Sequence, residues 1–324
     1  MKYYLGVDGG GTKTIAVISD QFGRVHGIGY GGNSNHQINQ KVAGQELEQA
    51  VFTALDDANL EKQQLSHSVF GLAGADRPSD FNYIHQMIEK LDIGSYDIYN
   101  DGLIALKAGN LAFEGMVIIC GTATNAIGRN EKGEIHQLGG FGYNFGDYGG
   151  GHQLSKEIFR TVIRSYEGRE TDTLLTELVL EQLGFHDVQD MYEYYLDQKD
   201  NLPLHLSPTL FKAASQGDSL ANKLMDKQAI ELTKSTQALT LKMKSKLKPL
   251  PLILVGSVLN KSHDDLMYKR FISKINELNL NLKIVTLKEE PVIGAILLAI
   301  NSSRQNEREI RNTVVQTLRK ERVS

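Results

Sequence analysis

The 324 residues, 41% hydrophobic and 23% charged with 31 Gly and no Trp, have an ordinary globular composition, which excludes disordered and fibrous classes. The 35 basic and 39 acidic side chains leave a net charge of −4, without the basic excess a phosphate-backbone binder needs, so nucleic acid is not an expected partner. No run reaches about 18 apolar residues and no signal-peptide core precedes the first strand, so no membrane partner is expected and the location reads as cytoplasmic.

The length exceeds what one hydrophobic core usually supports, so two domains with a cleft between them are expected. Residues 3–7 read as a strand, Asp8-Gly9-Gly10-Gly11-Thr12-Lys13-Thr14 as a polar hairpin tip, Ile15-Ala16-Val17-Ile18 as the return, and 25–30 as a third strand. A helix follows at 40–58, with apolar Val42, Leu47, Val51 and Leu55 at helical spacing. Val69 to Gly74 is a short buried strand, then come a helix at 79–91, a strand at 96–99 and a helix at 103–110. The pattern restarts at Gly115 with an apolar strand, a Gly121-Thr122 tip and a return at Asn125 to Gly128, which points to an internal duplication with its boundary near 111–116. A Gly-rich stretch at 139–151 leads into a helical block at 152–247, broken near Asn201 to Pro203 and at Ser207-Pro208. A strand at 251–255, a helix at 264–278, a strand at 282–287 and an apolar helix from Pro291 to Ile300 follow. The charged tail at 301–324 reads as a solvated helix or a frayed end.

Several of these segments suit phosphate chemistry. Three glycines and a Thr at a strand-to-strand turn let phosphate oxygens approach backbone N–H groups, with Lys13 as a cationic contact and Asp8 able to hold Mg²⁺; a Gly-rich turn that binds nothing has the same composition. The Gly121-Thr122 tip, at the equivalent place in the second half, would face the first as a clamp. Asp101, directly after a strand, can accept the proton of an attacking hydroxyl, or equally cap the following helix, which by position alone is the better reading. Asn33-Ser34-Asn35-His36 and Asp147 suit sugar hydroxyls as well as ordinary loops and turns. Backbone amides around Gly74, in Gly71-Leu72-Ala73-Gly74-Ala75-Asp76, could reach a ligand, and tight packing explains the same small residues. The nine His show no metalloprotease spacing, so a catalytic zinc is not expected.

Taken in order, Asp8 to Thr14, Ser34-Asn35-His36, Gly71 to Gly74, Asn100-Asp101, Gly121-Thr122 with Asn125, Gly139-Gly140-Phe141-Gly142 with Gly146-Asp147, and Leu254 to Val258 resemble the N-acetylglucosamine kinase family. These are BadF/BadG/BcrA/BcrD-type ATPases of the actin/hexokinase/Hsp70 superfamily. The resemblance implies an α/β fold with two ribonuclease H-like (actin-like ATPase) domains facing each other across a nucleotide and sugar cleft. The domains expected are 1–113, then 114–290 with a helical insertion, then 291–324 as a helix packing back on the N-terminal domain and a charged tail. It further implies ATP and Mg²⁺ as cofactors, nucleotide contacts at Gly10, Gly11, Thr12, Lys13, Thr122, Gly256 and Ser257, and Asp101 as catalytic base. Sugar contacts would fall on Asn35, Asp101, Asn125, Gly140 and Asp147. The substrate implied is an amino sugar, N-acetylglucosamine phosphorylated to its 6-phosphate. Family members are often dimers, which allows a homodimer here.

The chain departs from the family in reading Gly-Thr-Ala-Thr-Asn for Gly-Thr-Gly-Ser-Asn, and Tyr148 where the family has an acid after Asp147. The second change leaves glucosamine and N-acetylmuramic acid open as substrates. An activator ATPase of radical dehydratases would need Cys pairs for an iron–sulfur cluster, and Cys120 is alone. A sugar-responsive repressor would need a DNA-binding segment, for which the tip beginning at residue 8 leaves no room before it.

Overall fold

The computed structural model describes residues 1–197, 201–260, 265–301 and 304–321. Residues 198–200 of the expected helical block, residue 264 of the helix expected at 264–278, and 302–303 and 322–324 of the tail lie outside them.

The chain opens with β1 (Tyr3–Gly9), β2 (Thr14–Asp20) and β3 (Val25–Gly31), an antiparallel run. Every residue of β2 is buried, because both faces are covered: Ala16 and Ile18 pack toward α1 (Gln40–Asp57), Ile15 and Val17 toward α11 (Val292–Ile300). A strand enclosed on two sides reads as a continuous apolar run rather than an alternating one. The Asn39 side chain caps α1 by accepting from Val42 N, and Ala43, Leu47, Ala50, Val51 and Ala54 form its buried stripe. After α1 come β4 (Leu65–Leu72), α2 (Pro78–Glu89) and β5 (Tyr96–Asn100), which place two parallel strands beside β1 in the order β3-β2-β1-β4-β5.

The second sheet repeats that order and sense. β6 (Gly115–Cys120), β7 (Thr124–Arg129) and β8 (Ile135–Gly139) are antiparallel, and β9 (Leu250–Val255) and β10 (Leu282–Thr286) join in parallel on the other side of β6. Between β8 and β9 lie α4 (Gly150–Tyr166), α5 (Leu174–Leu183), α6 (Val188–Asp197), α7 (Ser207–Ser215) and α8 (Ser219–Met243), which bury the outer face of this sheet in a core of their own. α9 (Ser257–Asn260) and α10 (Leu266–Glu277) connect β9 to β10.

One helix carries the seam between the sheets. In α3 (Asp101–Gly109), Leu103, Ala105 and Leu106 pack on Val117, Ile127 and Ile253 of the second sheet, while Ile104 packs on Val69 of the first and on Ala295 of α11. Its first residue is Asp101, so the packing that joins the two halves also fixes where that carboxylate sits.

Two expectations are corrected. β8 was not foreseen: it is an edge strand whose Ile135-His136-Gln137-Leu138-Gly139 carries little apolar alternation. The charged tail is not merely solvated, because α12 (Arg304–Glu321) buries Ile310, Val314 and Leu318 against Ile15, Val17, Val25 and Ile28. Each such burial is worth roughly 1.5–3 kcal/mol, enough to dock a helix whose other faces are charged. A buried ion pair, Lys107 Nζ to Glu307 Oε1 at 2.5 Å, ties α12 to α3.

Candidate active site

The first tip is held open by its own backbone. Gly10 N donates to Lys13 O (2.9 Å), Ser34 N donates to Gly10 O (3.2 Å), and the Thr14 hydroxyl donates to Gly32 O (2.8 Å). The second tip is tied to α4: Gly151 N and His152 N donate to Gly121 O and Thr122 O. Gly256, just after β9, has φ +106°, and a Cβ there would overlap the Cys120 carbonyl, so only glycine lets β9 turn this close to the second tip.

These turns surround a cavity of about 390 Å³ between the two sheets. Asp8, Thr12, Lys13, Asp101, Thr122, Gly256 and Ser257 all line it, while Gly10 and Gly11 form the tip beside Thr12. Lys13 Nζ is 3.0 Å from Glu290 Oε2 at the cavity's edge.

Two carboxylates dominate its electrostatics. Burial, then the neighbouring Asp101 carboxylate, pushes Asp8 up to about 7; Lys13 opposes the shift and Glu290 adds to it. Asp101 is pushed up to about 6, by burial first and then by Asp76, against hydrogen bonds from backbone N–H groups that favour its charged form. A helix N-terminus also favours a carboxylate, but only by roughly 0.3–1 kcal/mol, so desolvation wins here. The helix cap is Asn100 rather than Asp101: Asn100 Oδ1 accepts from Gly102 N at 2.8 Å, which corrects the positional reading and leaves Asp101 as the first helical residue.

A second cluster adjoins the first. An added Cβ on Gly74 would lie 2.7 Å from Asn35 Oδ1, and one on Gly140 would lie 2.9 Å from Gln137 Nε2 and 3.1 Å from Asn125 Oδ1. Two residues after Gly74, Asp76 accepts through Oδ1 from Asn100 Nδ2 (2.8 Å) and Gln137 Nε2 (2.9 Å). Contacts thus pair Asn35 with Gly74 and Asn125 with Gly140, Gln137 links the second pair to Asp76, and the Asp76 charge also acts on Asp101. Neither the role of Asp76 nor that of Gln137 was assigned from the sequence; the Gly74-Ala75-Asp76 segment was its only signal. Asn125 Oδ1 is buried and accepts no hydrogen bond among the described residues.

Asp147 borders that cluster through Asn125 and the Gly139-Gly140 turn. Its Oδ2 accepts from Phe141 N (2.7 Å) and Gly142 N (2.6 Å), organising the Gly-rich loop, and with Asn125, Gly139 and Tyr148 it lines a second cavity of about 260 Å³. Lys227 Nζ lies 4.1 Å from the centre of the Tyr148 ring. In the Ser34-Asn35-His36 motif, His36 is buried, 3.2 Å from Asp80 and stacked on Tyr83, so it supports the loop. Cys120 is buried, which pushes its thiol up to about 12 and removes it as a nucleophile.

Among the described residues no helix is long and apolar enough to cross a membrane, and no group of three or more His, Cys, Asp or Glu side chains is placed to hold a metal. The cavity does offer hard oxygen donors in Asp8, Thr12 and Thr122. That donor set fits Mg²⁺, which is commonly held by one or two carboxylates together with substrate phosphates.

Comparison with known proteins gives a consistent result. The chain is 30% identical over 319 residues to N-acetyl-D-glucosamine kinase of Dictyostelium discoideum, covering 93% of this chain and 98% of that one. It is 28% identical over 303 residues to N-acetylmuramic acid/N-acetylglucosamine kinase of Clostridium acetobutylicum, covering 92% and 98%. A candidate N-acetylglucosamine kinase from Chromobacterium violaceum has a solved structure that superposes with a TM-score of 0.69 at 21% identity, over 92% of this chain and 99% of that one, which shows the shared fold. Residues 5–299 match the family described as the BadF/BadG/BcrA/BcrD ATPase family. With two sheets of identical topology closing on a cleft whose walls are its two Gly-rich tips, the chain belongs to the BadF/BadG/BcrA/BcrD ATPase family.

Proposed function

We propose that the chain transfers the γ-phosphoryl group of ATP to a hydroxyl of an amino sugar, N-acetylglucosamine foremost, giving the 6-phosphate. The observation that carries this reading is the position of Asp101, at the start of the seam helix, lining the nucleotide-sized cavity and next to Asn100 in the Asp76–Gln137 cluster. The names borne by the relatives above support the substrate class.

The nucleotide phosphates would lie between the tips, against the N–H groups around Gly11 and Thr12 and the hydroxyl of Thr122, with Gly256 and Ser257 on the nucleoside side. The sugar would lie toward Asn35, Gly74, Asn125 and Gly140, where the unpartnered Asn125 Oδ1 awaits a donor. Asp101 then accepts the proton of the attacking hydroxyl as that oxygen bonds to the γ-phosphorus, and the bond to the β–γ bridging oxygen breaks to release ADP. Mg²⁺, when held by Asp8 and the nearby hydroxyls, neutralises charge on the β- and γ-phosphates. Positioning supplies most of the remaining acceleration.

The test is ADP release from Mg·ATP with N-acetylglucosamine, glucosamine, N-acetylmuramic acid, N-acetylmannosamine and glucose, against a control without sugar. Stimulation by an amino sugar is the expected outcome. Hydrolysis independent of every sugar, or none, would contradict the proposal.

A further inference from the structure

Asp76 lies on the loop between β4 and α2 and reaches into both halves of the molecule. Through Oδ1 it accepts from Asn100 Nδ2 at 2.8 Å and from Gln137 Nε2 at 2.9 Å. Asn100 belongs to the first sheet, at the end of β5, and its Oδ1 simultaneously caps α3 through Gly102 N. Gln137 belongs to β8, the edge strand of the second sheet. A continuous chain of side-chain hydrogen bonds therefore runs from the second sheet to the turn that aims the Asp101 carboxylate. Gln137 also donates to Gly139 O (3.1 Å), and Asn100 Oδ1 accepts from Gly102 N (2.8 Å), so both ends of the chain rest on backbone.

We infer that Asp76 is a positioning residue, a strut between Asn100 and Gln137 that couples the seating of the second sheet on the first to the orientation of Asp101. If Gln137 moves away with its sheet, Asp76 loses the donor that fixes it from the second half, and its hold on Asn100 Nδ2 is left to its own loop. The cap on α3 and the carboxylate next to it are then free to turn. The strut sits beside Gly74 and Gly140, so a sugar bound there presses on the same groups. Phosphoryl transfer becomes efficient only when both halves are in register, which limits transfer to water from an open cleft.

The inference rests on the kinase reading for the chemistry positioned, and its test separates the two. Asp76→Ala, Asp76→Asn and Gln137→Ala are compared with the unaltered protein for kcat, sugar KM and the ratio of sugar phosphorylated to ATP consumed. Small-angle scattering supplies the radius of gyration of each protein without ligands. Asp76→Ala is expected to lower kcat by roughly ten- to a hundredfold, the scale of a misplaced catalytic group, with sugar KM changed by less than about threefold. Asp76→Asn keeps an Oδ1 acceptor for both donors and should restore kcat to within about threefold of the unaltered protein. Gln137→Ala should lower kcat, lower the coupling ratio and enlarge the radius of gyration. The inference is overturned if Asp76→Ala keeps full kcat, if KM rises with kcat intact, or if Asp76→Asn is as impaired as Asp76→Ala. A radius of gyration unchanged in Gln137→Ala also overturns it. Should the unaltered protein phosphorylate no sugar, the kinase reading fails while the scattering comparison still decides the strut.

Discussion

Lys13 Nζ lies 3.0 Å from Glu290 Oε2, an ion pair that joins the first tip to the segment leading into α11 across the edge of the nucleotide-sized cavity. With 60% of the Lys13 side chain exposed, this pair is worth about 1 kcal/mol at most, so a triphosphate can readily take the ammonium from it.

With ATP placed as proposed, Glu290 would compete with it for Lys13. Glu290→Gln should lower the KM for ATP by about two- to fivefold, the equivalent of a surface pair, and Lys13→Ala should raise it by about tenfold. Steady-state kinetics at saturating sugar checks both. A higher KM in Glu290→Gln would instead make Glu290 a contributor to nucleotide binding.

The raised carboxyls give turnover a definite pH dependence. In its proposed role as base, Asp101, pushed up to about 6 by burial, must be ionised to accept a proton, so kcat should fall about tenfold per unit as pH drops below 6. Stability runs the other way. Asp8 and Asp101 both sit above the 3.8 of an unperturbed Asp, so between about 4 and 7 the folded state holds protons that the unfolded chain releases. Their contribution is therefore present at pH 4 and lost as pH rises through 6 and 7. Replacing each by Asn should flatten that part of a thermal-stability profile measured in chelator; an unchanged slope would contradict the assignment.

Gly256→Ala places a side chain on a residue with φ +106° and against the Cys120 carbonyl. The strained backbone alone should cost about 1–3 kcal/mol, and relieving the overlap moves β9 away from the second tip. The expected result is a lower melting temperature together with weaker ATP binding by calorimetry. Unaltered ATP affinity would place the nucleotide elsewhere.

The pair between Lys107 and Glu307 is almost enclosed, with side chains 9% and 5% exposed. Glu307→Ala strands a buried ammonium and should destabilise the fold by about 3–5 kcal/mol, toward the lower end because Lys107 also donates to Leu111 O. The double replacement Lys107→Met with Glu307→Leu should be less damaging than the single one. Chemical denaturation of the three proteins measures this.

How far the sequence reveals the fold depends on what signals each element. The two hairpins were legible because apolar β-branched runs end in Gly-rich tips, and the repetition of that signal revealed the duplication. β8 was not, since an edge strand with Gln137 and His136 lacks the apolar contrast that betrays a half-buried strand. In α12 the stripe Ile310, Val314, Leu318 is diluted by charges on the other faces, so docking was hidden by mean polarity. At the site, residues in the tips announce themselves by composition. The Asp76–Gln137 contact spans 61 positions between an ordinary loop and an ordinary strand, and no local pattern encodes it.

The most direct test of the account is phosphorus NMR of the protein with Mg·ATP and N-acetylglucosamine, alongside Asp101→Asn. The account predicts a sugar phosphomonoester resonance growing as the γ-phosphate signal declines, with turnover nearly abolished in Asp101→Asn although the sugar still binds. Inorganic phosphate as the sole new signal, or full activity in Asp101→Asn, would contradict it.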